Sequence, residues 1–563
     1  MMRPVCVLAM VLASCSVFAS GAARSATDVE RAAAIDGLFA EYTRAGSPGG
    51  AVGVYSKGRV LYAKGYGLAD LEAGIPITPQ TQFHVASVSK QFTAYAIALL
   101  VQEGRIDLDA DIRKYLPDTP DFGHVVTVRQ LVHHTSGIRD YSSLLGLGGR
   151  DLRDLLPQQK IVNLLQRQRA LNFAPGTDFL YGNSGYVLLA EIVRSVTGKT
   201  LRQFTTERMF TPLKMSRTFF MDDIGELVPG RAHSYELDDD GTWQRFPLNY
   251  ESVGSTGLLT TVEDLAQWAG NLSAPKLGNA KLTSLISASG KLTDGTPVHY
   301  AFGLFDLPQA GRTALSHSGY DAAFCAHVTY YPEHDFAVAV LANTGMDVDA
   351  KVNAIANLYL PAVTAGASEP AVLQSPKASS LDALSGTFFA PDHPAMSFRR
   401  DGNRLIAERG TRGDGTSVVF RRDGSFDVDA RNREYFRPVL IDGVTAIDRI
   451  PNGPLPAQRY RRIEPVSSTP EQLTKLAGDY RSEELDVTYT FTVRNQRLVV
   501  DCFWCAQPVG LTQVTSDHFD APKSFAARAF SFVRNARGEV VEVRMHSDRA
   551  YGVVLRRIAP GAR

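Results

Sequence analysis

Beyond its opening two dozen residues, this chain of 563 amino acids has no apolar run long enough to span a bilayer. It has no charge excess of either sign: Lys plus Arg and Asp plus Glu number 59 each. That balance gives no general attraction to nucleic acid or to an anionic membrane, and it leaves a small molecule or short peptide as the expected partner. Cysteine is scarce. Of five, only Cys325, Cys502 and Cys505 lie outside the opening stretch. The pair in "DCFWCAQ" has no nearby residues to complete a zinc site. It reads as a structural pair, either a local disulfide or two packed thiols, ahead of a redox site. Cys325, in "AAFCAHVTYY", reads as a small core residue. No metal and no cofactor is expected.

What remains is the composition of a globular protein, 44% hydrophobic and 21% charged, at a length that suits three or four domains. Residues 1–26, "MMRPVCVLAMVLASCSVFASGAARSA", combine a short basic start, an apolar run and small residues. This is the pattern of a secretory signal, with cleavage after Ala19 or Ala22. Leu12-Ala13-Ser14-Cys15 also has the form of a bacterial lipoprotein box. Soluble export to the periplasm is expected ahead of lipid anchoring at Cys15.

Residues 27–363 carry strand-like runs at both ends and helical segments between. "AVGVYS" and "RVLYAKGYG" predict a hairpin around Lys57-Gly58, and "DFAVAVLAN" predicts a third strand far downstream. The expectation is an α+β domain whose own C-terminal part completes its sheet. Residues 364–380 have the small-residue and proline content of a linker. The tail then repeats itself. "LDALSGTF" from Leu381 matches "LTKLAGDY" from Leu473; "SFRRDGNRLIAE" matches "TFTVRNQRLVVD", aligning Arg404 with Arg497; "RRIEP" from Arg461 matches "RRIAP" from Arg556. Two similar antiparallel, barrel-like β domains are expected, at 381–465 and 470–560.

The chemistry concentrates first in "FHVASVSKQFTAYAIALLVQEG", residues 83–104. An i, i+3 spacing places Ser87 and Lys90 on one helical face. The segment after them is apolar all round, so Lys90 is a cation carried into a core. Chance alone supplies an S-x-x-K roughly once or twice in a chain this long. A second copy, Ser273 to Lys276, contains Pro275 and argues against a helix. Serine needs a base to become a nucleophile, and burial is what turns lysine into one. Two further segments fit. Tyr181-Gly182-Asn183 precedes a helix, where Tyr181 could relay a proton and Asn183 could bond a substrate amide. His317-Ser318-Gly319 precedes a strand, where Gly319 permits a substrate backbone to approach. Taken singly, each reads as a structural turn.

In their order, "ASVSK", "YGN" and "HSG" resemble the serine β-lactamase and penicillin-binding protein superfamily. The nearest pattern is that of class C β-lactamases, DD-peptidases, D-aminopeptidases and related esterases. "LVHHTSGI" (131–138) and "GLLTTVEDLAQW" (257–268) extend the likeness over most of the first domain. The resemblance implies that Ser87 is acylated, that Lys90 and Tyr181 manage protons and that Asn183 helps hold substrate. It implies that the N–H groups of Ser87 and Tyr320 form the oxyanion hole, with His317, Ser318 and Gly319 at the substrate. His133 and His134 fall in a segment that is structural in such proteins. The chain has neither K-T-G nor K-S-G. Histidine in that place resembles D-aminopeptidases and some esterases of the superfamily, and two C-terminal β domains resemble D-aminopeptidases, although other relatives append β domains too. The expected function is an exported serine hydrolase acting on short peptides or amides, D-aminopeptidase-like. An esterase, D-alanyl-D-alanine carboxypeptidase or β-lactamase is the alternative within the mechanism. A catalytically silent binding protein, or a tail whose binding of glycan is the main function, are alternatives outside it.

Overall fold

Lys57 and Gly58 both take positive φ, 50° and 67°, the left-handed pair that suits a two-residue hairpin between right-twisted strands. They join β1 (Gly50–Ser56) to β2 (Arg59–Tyr66). The structure, a computed structural model, describes residues 27–150, 153–362, 377–409, 415–428, 435–450 and 458–559. The signal-like segment with Cys15 lies outside the described residues, as does most of the expected linker. Strands β3 (Leu315–Asp321), β4 (Phe324–Tyr331) and β5 (Phe336–Ala342) complete an antiparallel sheet in the order β3-β4-β5-β1-β2. The closing pair runs from Gly50 opposite Ala342 to Ser56 opposite Phe336. The α+β reading holds, and the sheet is finished by the far end of its own domain.

The central strands are apolar on both faces because both faces are covered. Ala51, Ala339 and Leu341 point into one core, whereas Val52, Val54, Val338 and Val340 point into another, as a two-residue period requires. On the first face lie α1 (Lys90–Gln102), α2 (Ser184–Thr197) and α3 (Val262–Ser273). All of α1 from Lys90 to Leu100 is buried, which explains why its sequence has no polar side. Where it must bury a polar group it pairs it: Trp268 Nε1 donates to Gln91 Oε1 at 2.7 Å. On the other face α4 (Val348–Tyr359) packs Val352 and Ile355 against the valines.

The tail forms two antiparallel sheets, of eight and nine strands among the described residues. Both begin alike: a short helix, Ala378–Leu384 or Pro470–Thr474, leads into β6 (Gly386–Phe389) or β8 (Gly478–Ser482). Gly386 and Gly478 have φ of 131° and 146°. Over Gly386 lies Arg462 of β7 (Gln458–Ile463), and over Gly478 lies Arg557 of β10 (Val553–Arg557). The guanidinium would stand 3.2 Å from an added Cβ in each case. The repeat is thus one structural device used twice.

The copies differ in what they pack against. Phe388, Phe398, Phe426 and Tyr460 make a core confined to the first sheet. Tyr489, Phe491 and Phe530 of the second are continuous with the core of the first domain. Tyr489 Oη donates to the carbonyl of Leu147 at 2.8 Å. Gly149 has φ +70°, and a Cβ there would meet the Trp504 ring at 2.2 Å. A disulfide between Cys502 and Cys505 brackets that tryptophan, while Cys325 is a buried free thiol. A buried ion pair, Arg139 Nη1 to Glu484 Oε2 at 2.8 Å, crosses the same interface. Arg139 also donates to the carbonyls of Tyr551 and Gly552.

Candidate active site

Ala86, at φ 48°, puts a non-glycine residue in left-handed backbone immediately before Ser87. Such strain persists only where the surroundings impose it, and it gathers at functional sites. Here it turns the chain from a short strand (Phe83–His84) into the 3-10 turn Ala86–Ser89, which feeds α1. Ser87 therefore stands at the helix entrance, with Lys90 on the same face.

Lys90 is fully buried. Its Nζ lies 3.0 Å from Ser87 Oγ, 2.9 Å from Asn183 Oδ1 and 2.9 Å from the carbonyl oxygen of Ser255. Burial, followed by the nearby positive charge of Arg549, pulls its pKa down to about 7. A neutral amine has two N–H donors and one lone pair. The two carbonyl oxygens can only accept, so they take the hydrogens and leave the lone pair toward Ser87 Oγ–H. This is the geometry of a base poised beside a nucleophile. The other S-x-x-K has no such setting: Ser273 ends α3, and Lys276 is exposed.

Tyr181 stacks beside the lysine, its ring centroid 4.9 Å from Nζ. Its hydroxyl is buried without a hydrogen-bond partner among the described residues. Burial raises its pKa, and the neighbouring Ser87 and Arg549 offset that rise only in part. The phenol keeps its proton at neutral pH. Asn183 stands at the entrance of α2 without a side-chain capping bond, its backbone N–H donates to Asp140 Oδ2, and its Oδ1 is left to face Lys90.

Across Ser87 runs β3, the edge strand of the sheet, whose outer side is bridged by Phe305 at Ser316. A Cβ on Gly319 would come 2.5 Å from the carbonyl of Val85 and 2.9 Å from the N of Ser87. Only glycine allows that approach. Tyr320 follows, 55% exposed, and Ser318 is half-buried.

His317 is not a solvated imidazole. An ordinary pKa near 6.5 would let it gain charge just below neutrality. Instead it is buried, and burial followed by the Lys90 charge pulls its pKa down to about 3. Its Nδ1 faces the carbonyl of Ser318 at 2.5 Å and its Nε2 the hydroxyl of Tyr300 at 3.1 Å. The neutral tautomer with Nδ1–H satisfies both. His133 faces the carbonyl of Tyr300 at 2.8 Å, and His134 packs between Tyr181, Tyr186 and Tyr300. Burial lowers the pKa of both. Among the described residues no cluster of His, Cys, Asp and Glu is arranged to hold a metal, and no helix is long and apolar enough to cross a membrane.

A cavity of about 130 Å³ opens at Ser87, lined among others by Tyr141, Asn183, Tyr250, Asp321 and Arg549. Sequence reasoning missed the last two. Asp321 had a local signal, because it ends the glycine-bearing strand β3, two residues after Gly319. Its Oδ2 accepts from Thr256 Oγ1 at 2.8 Å and faces His84 Nε2 at 3.1 Å. Arg549 had none, since it comes from the loop between β9 (Val540–His546) and β10 of the second tail domain. Its carbonyl accepts from Asp140 N and Asn172 Nδ2, which anchors the loop.

Comparison with known proteins gives three kinds of likeness. The family model described as Beta-lactamase matches residues 35–360. A D-aminopeptidase of Gluconobacter oxydans is 26% identical over 464 residues, covering 81% of this chain and 82% of that protein. A D-aminopeptidase of Brucella canis is 30% identical over 277 residues, 48% of this chain and 52% of that one. Among solved structures, a penicillin-binding protein homologue from Pyrococcus abyssi superposes with a TM-score of 0.51 at 22% identity. It covers 84% of this chain and 98% of that one, and supports the fold.

Proposed function

From the premise that the chain belongs to the Beta-lactamase family and is a serine hydrolase, we propose that it acts as a D-aminopeptidase, releasing an N-terminal D-residue from short peptides or amides. The observation that carries the reading is the buried Lys90 Nζ 3.0 Å from Ser87 Oγ, with its pKa pulled down to about 7. The relatives named D-aminopeptidase support the substrate class, and the match to one of them, over 81% of this chain, is longer than the first domain alone.

In the proposed cycle neutral Lys90 takes the proton of Ser87 as Oγ attacks the substrate carbonyl. The N–H groups of Ser87 and Tyr320 receive the oxyanion as donors already fixed in place by the backbone. Tyr181 donates its phenolic proton to the leaving amine, and the proton held by Lys90 restores the phenol. Water then attacks the acyl-enzyme by the same groups in reverse. Asn183 positions the acyl part. The proposed place of action is outside the cytoplasm. The signal-like residues 1–26 support it, and a disulfide at Cys502–Cys505 suits an oxidising compartment.

The test is labelling with a serine-reactive fluorophosphonate, followed by a panel of D- and L-aminoacyl anilides, a D-Ala-D-Ala peptide, a cephalosporin and a short ester. Ser87→Ala should abolish labelling and turnover with the fold intact. Label that persists in that variant, or that maps to Ser273, overturns the assignment. A protein that never labels is the silent binding protein. A preference for the cephalosporin returns the chain to the β-lactamases.

A further inference from the structure

We propose that Arg549 makes the cavity at Ser87 a carboxylate subsite, so that the acyl group transferred to the serine carries an acid of its own, as a D-aspartyl or D-glutamyl residue does. The inference rests on the serine-hydrolase reading and deepens its substrate class.

The reasoning starts with charge. Lys90 is held near neutrality, and His317, His133 and His134 are all uncharged at neutral pH for want of solvation. Arg549 cannot shed its proton, and Asp140 beside it raises its pKa further. It is therefore the fixed cation of the cavity lining. Asp140 does not consume it. The two oxygens of that carboxylate are taken by the backbone N–H and hydroxyl of Ser142 and by the N–H of Asn183. Arg549 reaches Asp140 only at 3.5 Å and Ser142 Oγ at 3.1 Å, in both cases through Nη2. A guanidinium carries five donors, and its planar fork matches a carboxylate. The side chain stays 32% exposed, and the face it shows lines the same cavity as the nucleophile.

Position then decides which part of a substrate it meets. Arg549 lines the cavity with Asn183, the residue assigned to the acyl amide, and its backbone is tied to Asp140, whose carboxylate holds Asn183. His317, where other members of the family place a lysine, is neutral. The site thus has its cation with the acyl part and none at His317. The same lining includes the Asp321 carboxylate, which suits the ammonium of a free N-terminal residue. An acidic amino acid presents both charges.

The experiment uses the full-length enzyme and two substrate pairs that differ only in a carboxylate: D-glutamyl against D-glutaminyl p-nitroanilide, and the mono-p-nitrophenyl ester of glutaric acid against p-nitrophenyl valerate. The acid member should be favoured on the order of tenfold to a hundredfold in kcat/KM. Arg549→Gln should bring that ratio toward one, and Arg549→Lys should restore part of it. The Lys variant keeps the charge, so it separates recognition from a loop that has lost its shape. If neither anilide is cleaved but the esters separate in an Arg549-dependent way, the D-aminopeptidase reading falls and the subsite stands. Equal rates within both pairs, or a ratio unchanged in Arg549→Gln, overturn the subsite and leave Arg549 as a partner of Asp140 alone.

Discussion

Gly319 lies so close to Ser87 that the Cβ of any other residue would stand 2.9 Å from the nucleophile's backbone nitrogen. The same Cβ would be 2.5 Å from the carbonyl of Val85, which is backbone and cannot turn aside. Gly319→Ala should therefore push β3 away from Ser87 and spoil the oxyanion site. A fall in kcat of about a hundredfold or more is expected, the scale of losing an oxyanion donor. Thermal unfolding should show only a modest loss. A variant with normal kcat would mean that the strand is not the second wall of the site.

The depressed pKa of Lys90 gives activity a direction with pH. The lysine must be neutral to accept a proton, so kcat/KM should rise as pH rises toward 7 and level off above it. Stability follows the same group. In the folded chain Lys90 titrates at about 7, against an ordinary value of 10.5. Between these values the unfolded chain binds the extra proton, so stability from this group increases with pH across that window, by at most about 1.4 kcal/mol per unit. Lys90→Met should be inactive and should lack this slope. Urea denaturation of both proteins at pH 7, 8 and 9 measures it; parallel curves would show that the lysine is not desolvated.

His317 supplies the opposite expectation. With its pKa down at about 3, it gains no charge between pH 8 and 6. The relative rate on a D-alanyl anilide and a cephalosporin should stay constant over that range. His317→Lys should shift the ratio toward the cephalosporin by one to two powers of ten, the scale of a charge-assisted hydrogen bond. A wild-type ratio that changes steeply near pH 6.5 would show a solvated imidazole.

Glu484 should matter far from the chemistry. Its carboxylate accepts from Arg139 and from the backbone N–H of Arg169, and both side chains of the ion pair are buried. Glu484→Ala leaves a cation without its partner inside the interface, a loss of roughly 3–5 kcal/mol. Replacing both, as Arg139→Met with Glu484→Leu, should recover much of it. Chemical denaturation decides; additive losses in the double variant would show that the pair is not coupled.

How far the sequence could be read follows from where each signal sits. Ser87 and Lys90 are three residues apart, and the apolar run behind them announces the burial that makes the lysine a base. The Lys57-Gly58 hairpin and the repeated tail were legible for the same reason, because each is written in local pattern. Three things were not. The pKa of His317 depends on its burial and on the charge of Lys90, which no reading of "HSG" brings together. The disulfide could be told from two packed thiols only by geometry. Arg549 sits in "HSDRAYG", an ordinary loop, and gains its meaning from Asp140 and Ser142 on the other side of an interface. Patterns along a chain reveal periodicity and capping; they do not reveal which loop of one domain rests on the cleft of another.

The placement of Arg549 also bears on when the enzyme can work. Ser87 and Lys90, the proposed nucleophile and base, belong to the first domain, but Arg549, which lines their cavity, is translated only after the first tail sheet and most of the second. A ribosome releases the serine and lysine long before it releases that arginine. The interface that seats it joins the core of the second sheet to the catalytic core. A chain arrested or clipped before this loop would hold a reactive serine with an unfinished mouth and no selective filter. The proposed selectivity is thus complete only when the second tail sheet has formed, and until then the serine stays open to acylation by whatever reaches the half-made protein.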